Sequence, residues 1–472
     1  MSENHSTLKH NSIGLPQVVF QAVTHMAPAV SLAFTVLVAA GFVGPTLPLV
    51  MIFSLIAMIP VALSIGQLAK EIPSAGGLYG YVSAGLGRHM GFLVGWLLLI
   101  IEPLVTPLIL LLSSFIVGDF FNTYFGINLH WVVWVFITAG VFLALTYRDV
   151  KFSLGATLVL GTYEITLFLV FAIFVILKVG NHNTMEVFNP AHSVMGSNGL
   201  FKGVVLAITA LLGYESAAAF GEEAKDPKRT IPRAMFIALI LIGVWYIILT
   251  YAWIVGIGFD GFTKAATTDP NLIATVGKQF WGGASVLLTL ALINGIIANG
   301  GAAINTGSRV MYAMSRAGVL PQLFGKTHPK HQTPQLGVLA QIGAGIIIAL
   351  IFGFVWDPIT GLTILGLTIG VAVVLVYITC CIACIGFYRK KAAKDGAAFN
   401  VLLHGVLPTI GSIAFLIPLY KNYVPLPSWP NQWSNWLVVA WLIMGIGVVT
   451  YLSKKRPEAL ATVEETLGNV ES

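Results

Sequence analysis

Twelve long apolar stretches, separated by short polar connections, constrain this chain more than any other feature of its sequence. Charged residues make up only 9% of its 472 residues and hydrophobic residues 57%, whereas soluble domains contain roughly 25% charged residues. About 20 consecutive apolar residues cross a bilayer as a helix. The sequence therefore predicts an all-α membrane protein with twelve transmembrane helices, called spans 1 to 12, and argues against a water-soluble enzyme. The predicted spans cover residues 16–42, 47–68, 90–113, 130–147, 154–178, 201–220, 235–258, 282–312, 335–355, 359–386, 402–420 and 434–452.

Lysine and arginine are distributed unevenly between the two sides of the predicted membrane. With the N-terminus inside, twenty of the 25 Lys and Arg residues fall in cytoplasmic segments. The outer side keeps Lys178, Lys202, Lys264, Lys278 and Lys421. By the positive-inside rule, we expect cytoplasmic tails at 1–15 and 454–472 in a multi-pass protein of a bacterial cytoplasmic (inner) membrane. Because the basic residues mark topology, the net charge of +6 does not indicate nucleic acid binding.

Two spans carry helix-breaking residues at about the middle of the membrane. Pro28 in span 1 cannot donate to the helical ladder, and Gly213 in span 6 frees the backbone. Backbone that is not helical survives at membrane depth only where it lines a cavity. The alternative is that Pro28 merely kinks a packed helix and Gly213 allows close helix contact. The candidate substrate-binding residues are Thr24, His25, Met26, Ala27, Pro28 and Ala29 in span 1 and Leu212, Gly213, Tyr214, Glu215 and Ser216 in span 6.

The two breaks lie five spans apart, which indicates a transporter built from an inverted repeat. Spans 1–5 would be mirrored by spans 6–10 in a core at 16–390, with spans 11 and 12 added at 391–453. Freed amides at a helix N-terminus suit a carboxylate, and freed carbonyls suit an ammonium group or a metal cation. An amino acid offers both a carboxylate and an ammonium group.

Three motifs resemble those of the amino acid-polyamine-organocation (APC) superfamily. One is the stretch FGEEAKDPKRTIPRA at 220–234, which follows GYESA at 213–217. The others are PSAGGLYGY at 73–81 and the segment at 308–334, which begins SRVMYAMSRAGVLP. The resemblance implies the LeuT-type fold, a 5+5 inverted repeat, and secondary transport of amino acids or amines.

Three carboxylates, Glu102, Glu164 and Glu215, lie within predicted spans. A charge at the bilayer centre costs about 3 kcal/mol even on the lenient insertion scale. Each group is therefore expected to be protonated part of the time, to pair with His25, or to face a watery cavity that receives a cation. Glu215 and His25 flank the two breaks and are expected to form a histidine–carboxylate pair, unless His25 is a packing residue.

Glu164 and Glu102 receive specific hypotheses from the resemblance. In proton-coupled relatives a lysine lies near the place of Glu164, beside the broken first span. We therefore expect Glu164, with His25, to carry the coupling proton; the alternative is a protonated acid that bonds a neighbouring helix. Glu102 resembles an acidic residue of polyamine-importing relatives and would attract an ammonium group, or else bonds backbone freed by Pro103 or Pro107. Few Ser or Thr residues precede Thr306 in span 8, so sodium coupling is less expected than proton coupling.

The predicted function is import of an amino acid or related organic amine by alternating access, with proton coupling. A substrate–product exchanger and a polyamine transporter remain alternatives, and so does a channel or substrate-sensing receptor on the same fold. The sequence contains no HExxH or GxSxG motif, and we expect no enzyme activity. We also expect no cofactor, no metal site and no obligatory protein partner. The expected partners are the small-molecule substrate, protons and the lipid bilayer.

Overall fold

The helices of the protein follow the predicted spans closely. The structure is a computed structural model that describes residues 14–72, 77–147, 154–220, 224–269, 271–316, 320–326, 334–396 and 398–455. Its α-helices are α1 (Leu15–Met26), α2 (Pro28–Val43), α3 (Leu47–Glu71), α4 (Gly77–Leu86), α5 (Arg88–Phe125), α6 (Trp131–Tyr147), α7 (Leu154–Val179), α8 (Gly196–Ala210), α9 (Pro227–Ile257), α10 (Phe262–Thr268), α11 (Leu272–Trp281), α12 (Val286–Arg316), α13 (Gln335–Val355), α14 (Pro358–Asp395), α15 (Leu407–Tyr423) and α16 (Trp433–Lys455).

All twelve predicted spans correspond to helices. Helices α1 and α2 together form span 1, and α8 with a 3₁₀ segment at Tyr214–Phe220 forms span 6. The other ten spans are α3, α5, α6, α7, α9, α12, α13, α14, α15 and α16. Helices α4, α10 and α11 are short connections. The prediction of an all-α, multi-pass membrane protein is confirmed.

Span 3 continues well beyond its predicted end. Helix α5 runs to Phe125, whereas its apolar stretch was predicted to end at residue 113. Its C-terminal end is fixed to α11, because Asn271 donates to Asp119 at 2.8 Å and Lys278 donates to Thr123 at 3.1 Å. The end of span 3 was predicted too early because an apolar stretch indicates only the part of a helix that lies in lipid. The helix itself can continue into water where its polar side chains find hydrogen-bond partners.

The packing of the helices repeats with a period of five spans. Each of the first four spans contacts the span five positions later, in the pairs α2–α8, α3–α9, α5–α12 and α6–α13. Span 5 packs on span 1 (α7–α1), and span 10 packs on span 6 in the same way (α14–α8). The contact of span 5 with span 7 (α7–α9) likewise corresponds to the contact of span 10 with span 2 (α14–α3). This pattern is what an inverted repeat requires. The domain boundaries predicted at residues 390 and 453 stay predictions.

Several predicted features lie partly outside the described residues. The tails are described only at 14–15 and 454–455. Within the three sequence motifs, residues 73–76, 221–223, 317–319 and 327–333 lie outside.

Candidate substrate site

The first helix break lies at Ala27, between α1 and α2. Ala27 adopts the left-handed conformation (φ 45°, ψ 64°) because the Pro28 ring prevents the chain from continuing as a helix. The carbonyl of Met26 is freed by the break and accepts a hydrogen bond from the Ser31 hydroxyl at 2.8 Å. Thr24 donates its hydroxyl to the Phe20 carbonyl within α1. The break is thus a defined turn with its own hydrogen bonds.

The second break begins where α8 ends at Ala210. The Tyr246 hydroxyl of α9 donates to the freed carbonyl of Ala210 at 3.0 Å. A turn at 211–213 follows, and Gly213 has φ 111°. A Cβ atom on Gly213 would lie 2.9 Å from the carbonyl carbon of His25 and from the amide nitrogen of Met26. The two breaks therefore touch each other, and the contact requires glycine at this position.

A cavity of about 60 Å³ lies at the junction of the two breaks. One ordered water needs about 10–15 Å³ of such space, so the cavity suits a solute of about four to six non-hydrogen atoms. Its lining combines one carboxylate, a few neutral polar side chains and apolar side chains. The lining residues are His25, Met26, Val30, Ser31, Phe34, Glu102, Val105, Leu108, Thr209, Ala210, Leu212, Asn299, Ala303 and Ile369.

Glu102 lines this cavity as its one acidic residue. The predicted alternative was that its carboxylate bonds to backbone freed by Pro103 or Pro107. Within the part of the chain that the structure describes, the Glu102 carboxylate has neither a hydrogen bond nor an ion pair. A carboxylate in that position is available to a cationic group in the cavity.

Glu164 joins span 5 to the broken span 1. It is only 4% exposed, and its Oε1 accepts a hydrogen bond from the backbone amide of Ala29 at 2.8 Å. The carboxylate also lies against α12, where a Cβ atom on Gly295 would be 3.3 Å from Oε2. Glu164 thus occupies the N-terminal end of α2, where the helix dipole favours negative charge.

Glu215 lies at the second break itself. Its Oε2 accepts a hydrogen bond from the Gly213 amide at 3.0 Å, and Tyr377 of α14 lies beside it. The structure contains no ion pair between Glu215 and His25 among the residues that it describes. The expected histidine–carboxylate pair was wrong, because the Glu215 carboxylate turns back to its own backbone and the His25 ring packs against Gly213.

The predicted site residues separate into two groups. His25, Met26, Glu102 and Leu212 line the cavity. The other residues of the two breaks form the surrounding backbone or lie behind it. These are Thr24, Ala27, Pro28, Ala29, Gly213, Tyr214, Glu215 and Ser216, of which Tyr214 is fully buried.

The sequence interpretation missed most of the cavity wall. Val30 and Phe34 continue the helical spacing of four residues from Met26, and Ala303 stands in the same relation to Asn299. Extending each break by one or two helical turns would have identified Val30 and Phe34 after the first break and Thr209 before the second. Val105 and Leu108 of α5, Asn299 and Ala303 of α12, and Ile369 of α14 come from other helices, and the sequence gives no comparable signal for them. In the described ranges, no group of three or more His, Cys, Asp or Glu side chains is placed to hold a metal ion.

Comparisons with known proteins agree with this geometry. Residues 13–449 match the family described as amino acid permease. The low-affinity putrescine importer PlaP of Escherichia coli K12 is 27% identical over 360 residues, covering 73% of this chain and 75% of the relative. The branched-chain amino acid permease BcaP of Bacillus subtilis is 25% identical over 437 residues, covering 87% of this chain and 86% of the relative. The solved structure of a manganese transporter from Eremococcus coleocola superposes over 99% of both chains with a TM-score of 0.58 and 14% sequence identity, which shows the fold alone.

Proposed function

Because the chain belongs to the amino acid permease family of the APC superfamily, we propose that it imports a small amino acid or organic amine across the cytoplasmic membrane by proton-coupled alternating access. The observation that carries this proposal is the cavity at the junction of the two helix breaks. It combines freed backbone, the Glu102 carboxylate and room for a small solute. The family is one of permeases, so the chain is treated as a transporter and not as an enzyme.

The relatives support the substrate class. The named substrates of the two relatives, putrescine and branched-chain amino acids, both carry an ammonium group at neutral pH. An ammonium group would be attracted to the Glu102 carboxylate, which has no partner of its own. The apolar side chains of the cavity would contact the carbon chain of the substrate.

Glu164 is the proposed carrier of the coupling proton. Its ionised carboxylate interacts with the Ala29 amide and with the dipole of α2. Protonation removes the charge and weakens this connection between span 5 and the second half of span 1. A proton on Glu164 would therefore favour a conformation in which the two halves of span 1 change their relative position. The alternative role, a fixed cap for α2, predicts no effect of protonation on transport.

The test uses the purified full-length protein in liposomes. We expect accumulation of radiolabelled amines or amino acids when the outside is made acidic, and loss of this accumulation when a protonophore is added. Glu164→Gln keeps an oxygen for the Ala29 amide but cannot exchange a proton. We expect this variant to retain counterflow of substrate across the membrane while losing accumulation driven by the pH gradient.

Four results would contradict the proposal in different ways. Unchanged gradient-driven uptake in Glu164→Gln would remove Glu164 from coupling. Uptake that needs internal substrate and ignores the pH gradient would identify an exchanger, the activity named for another relative, the serine/threonine exchanger SteT of Bacillus subtilis. Flux without saturation or counterflow would identify a channel, and saturable binding without any flux would identify a receptor.

A further inference from the structure

We propose that the substrate is a short alkylamine that carries no carboxylate. This inference rests on the proposed function and narrows its substrate class. At each helix break, a carboxylate of the protein itself accepts a hydrogen bond from a backbone amide that could otherwise bind a substrate carboxylate. The cavity is left with groups that favour a cation.

The first break offers few amides to a ligand. Pro28 has no N–H, and the Ala29 amide donates to Glu164 at 2.8 Å. The Ser31 amide donates to the carbonyl of Ala27 at 3.0 Å. In the first turn of α2 this leaves the amide of Val30 alone. A carboxylate bound by a helix N-terminus uses several amides, so a single amide is a poor site for it.

The second break is occupied in the same way. The Gly213 amide donates to Glu215 Oε2 at 3.0 Å, and the amide of Glu215 also faces this carboxylate. The Ser216 amide donates to the carbonyl of Gly213 at 3.0 Å. A carboxylate supplied by a substrate would have to displace the side chain of Glu215 to reach these donors.

The charges around the cavity favour the same substrate class. Glu102 lines the cavity, and no Lys or Arg is among the described residues that line it. Glu215 is near enough to Glu102 for the two acids to interact electrostatically. Lys202 lies two helical turns outward of Thr209 on α8, and its ammonium group stands 5.8 Å from the centre of the Phe42 ring. A substrate carboxylate would be repelled by the carboxylates of Glu102 and Glu215. An ammonium group would instead be attracted to the unpaired carboxylate of Glu102.

The remaining lining suits an alkyl chain. Val30, Phe34 and Leu108 are apolar, and Ser31, Thr209 and Asn299 offer neutral oxygen atoms that accept hydrogen bonds from an ammonium group. The volume of about 60 Å³ suits a chain of about four to six non-hydrogen atoms. These features fit a monoamine of four or five carbons or a diamine of four carbons.

The test compares amino acids with their decarboxylated counterparts. The three pairs are ornithine with putrescine, lysine with cadaverine, and leucine with isopentylamine. Uptake of each radiolabelled compound is measured in liposomes that contain the full-length protein. We expect the amine of at least one pair to be taken up with an apparent affinity at least about tenfold higher than its amino acid, since one charge-assisted hydrogen bond is worth about this ratio.

A second measurement asks whether Glu215 causes the discrimination. Glu215→Ala vacates the Gly213 amide, so the preference for the amine over its amino acid should fall at least about threefold. The matched variant Glu215→Gln keeps an oxygen for Gly213 and removes the charge. A preference retained in Glu215→Gln but reduced in Glu215→Ala assigns discrimination to the occupied amide. Binding of the same pairs to purified protein in detergent provides a readout that does not require transport.

The outcomes separate this inference from the proposed function. Uptake of both members of a pair with equal affinity, or of the amino acids alone, overturns the amine inference and leaves proton-coupled import intact. An amine preference that is the same in the wild type and Glu215→Ala overturns the explanation by occupied amides. Saturable binding of amines without any transport supports the specificity and overturns the transport function.

Discussion

Trp96 and Trp441 each donate an indole N–H to the backbone carbonyl of the other. The distances are 2.9 Å from Trp96 Nε1 to the Trp441 oxygen and 2.7 Å in the reverse direction. Their rings stack with centroids 4.8 Å apart and an interplanar angle of 20°. Gly445 lies directly beneath the Trp96 ring, where a Cβ atom would overlap with it. Span 12 is thereby fixed to span 3, which carries Glu102 six residues after Trp96.

Trp441→Phe should lower the stability of the protein. The substitution leaves the Trp96 carbonyl without its indole donor, which costs about 1–3 kcal/mol and should lower the Tm by roughly 1–4 °C. Thermal unfolding of the purified protein, followed by fluorescence or light scattering, measures this shift. Trp436→Phe on the same helix is the control. Because the Trp436 side chain is 50% exposed, its substitution should change the Tm little. Equal shifts for both variants would show that the paired hydrogen bonds contribute nothing specific.

Gly213→Ala should abolish most transport. Alanine at φ 111° is strained, and its Cβ would lie 2.9 Å from backbone atoms of His25 and Met26, which cannot move separately from the break. We expect at least about a tenfold loss of uptake rate in liposomes, with protein still inserted in the membrane. Gly343→Ala in α13 is the control, because nothing lies within 4 Å of its added methyl group. Wild-type uptake by Gly213→Ala would mean that contact between the breaks is not needed.

The sequence revealed the helices and both breaks for a physical reason. Lipid requires each helix to be long and apolar, so hydrophobicity alone located the spans, and the backbone chemistry of Pro28 and Gly213 marks an interruption wherever they occur. The register of side chains between helices leaves no such mark. The bond between Glu164 and Ala29 joins residues 135 positions apart, and only the resemblance to a family suggested that these regions meet.

The same limitation explains the incorrect pairing of His25 with Glu215. Sequence proximity to the two breaks suggested that the two side chains would face each other, but the Glu215 carboxylate accepts a hydrogen bond from the Gly213 amide at 3.0 Å instead. The Trp96–Trp441 pair was missed for a related reason: nothing in the sequence shows that an indole reaches a carbonyl on another helix.

Glu102→Gln should weaken binding of cationic substrates far more than binding of neutral ones. The carboxylate faces the cavity without a partner, so its loss removes a charge-assisted interaction with the substrate and leaves no buried cation behind. We expect an increase of about tenfold or more in the KM for an amine. Competition assays against one labelled substrate measure both classes. Glu186→Gln, in the exposed segment between α7 and α8, serves as the control. An unchanged KM for the amine in Glu102→Gln would argue against direct contact.

Tyr246→Phe should impair transport by leaving the freed carbonyl of Ala210 without its donor. The ring of Tyr246 is fully buried, so phenylalanine keeps the packing and removes only the hydroxyl that reaches Ala210 at 3.0 Å. An unsatisfied buried carbonyl costs about 1–3 kcal/mol, and relaxation of the turn at 211–213 would displace the cavity wall. We expect at least a fivefold fall in Vmax/KM together with a lower Tm. Tyr251→Phe is the matched control on the same helix, since its hydroxyl bonds the Asn183 side chain near the outer end of α7. A Tyr246→Phe protein with wild-type kinetics would show that the second break holds its shape without this hydrogen bond.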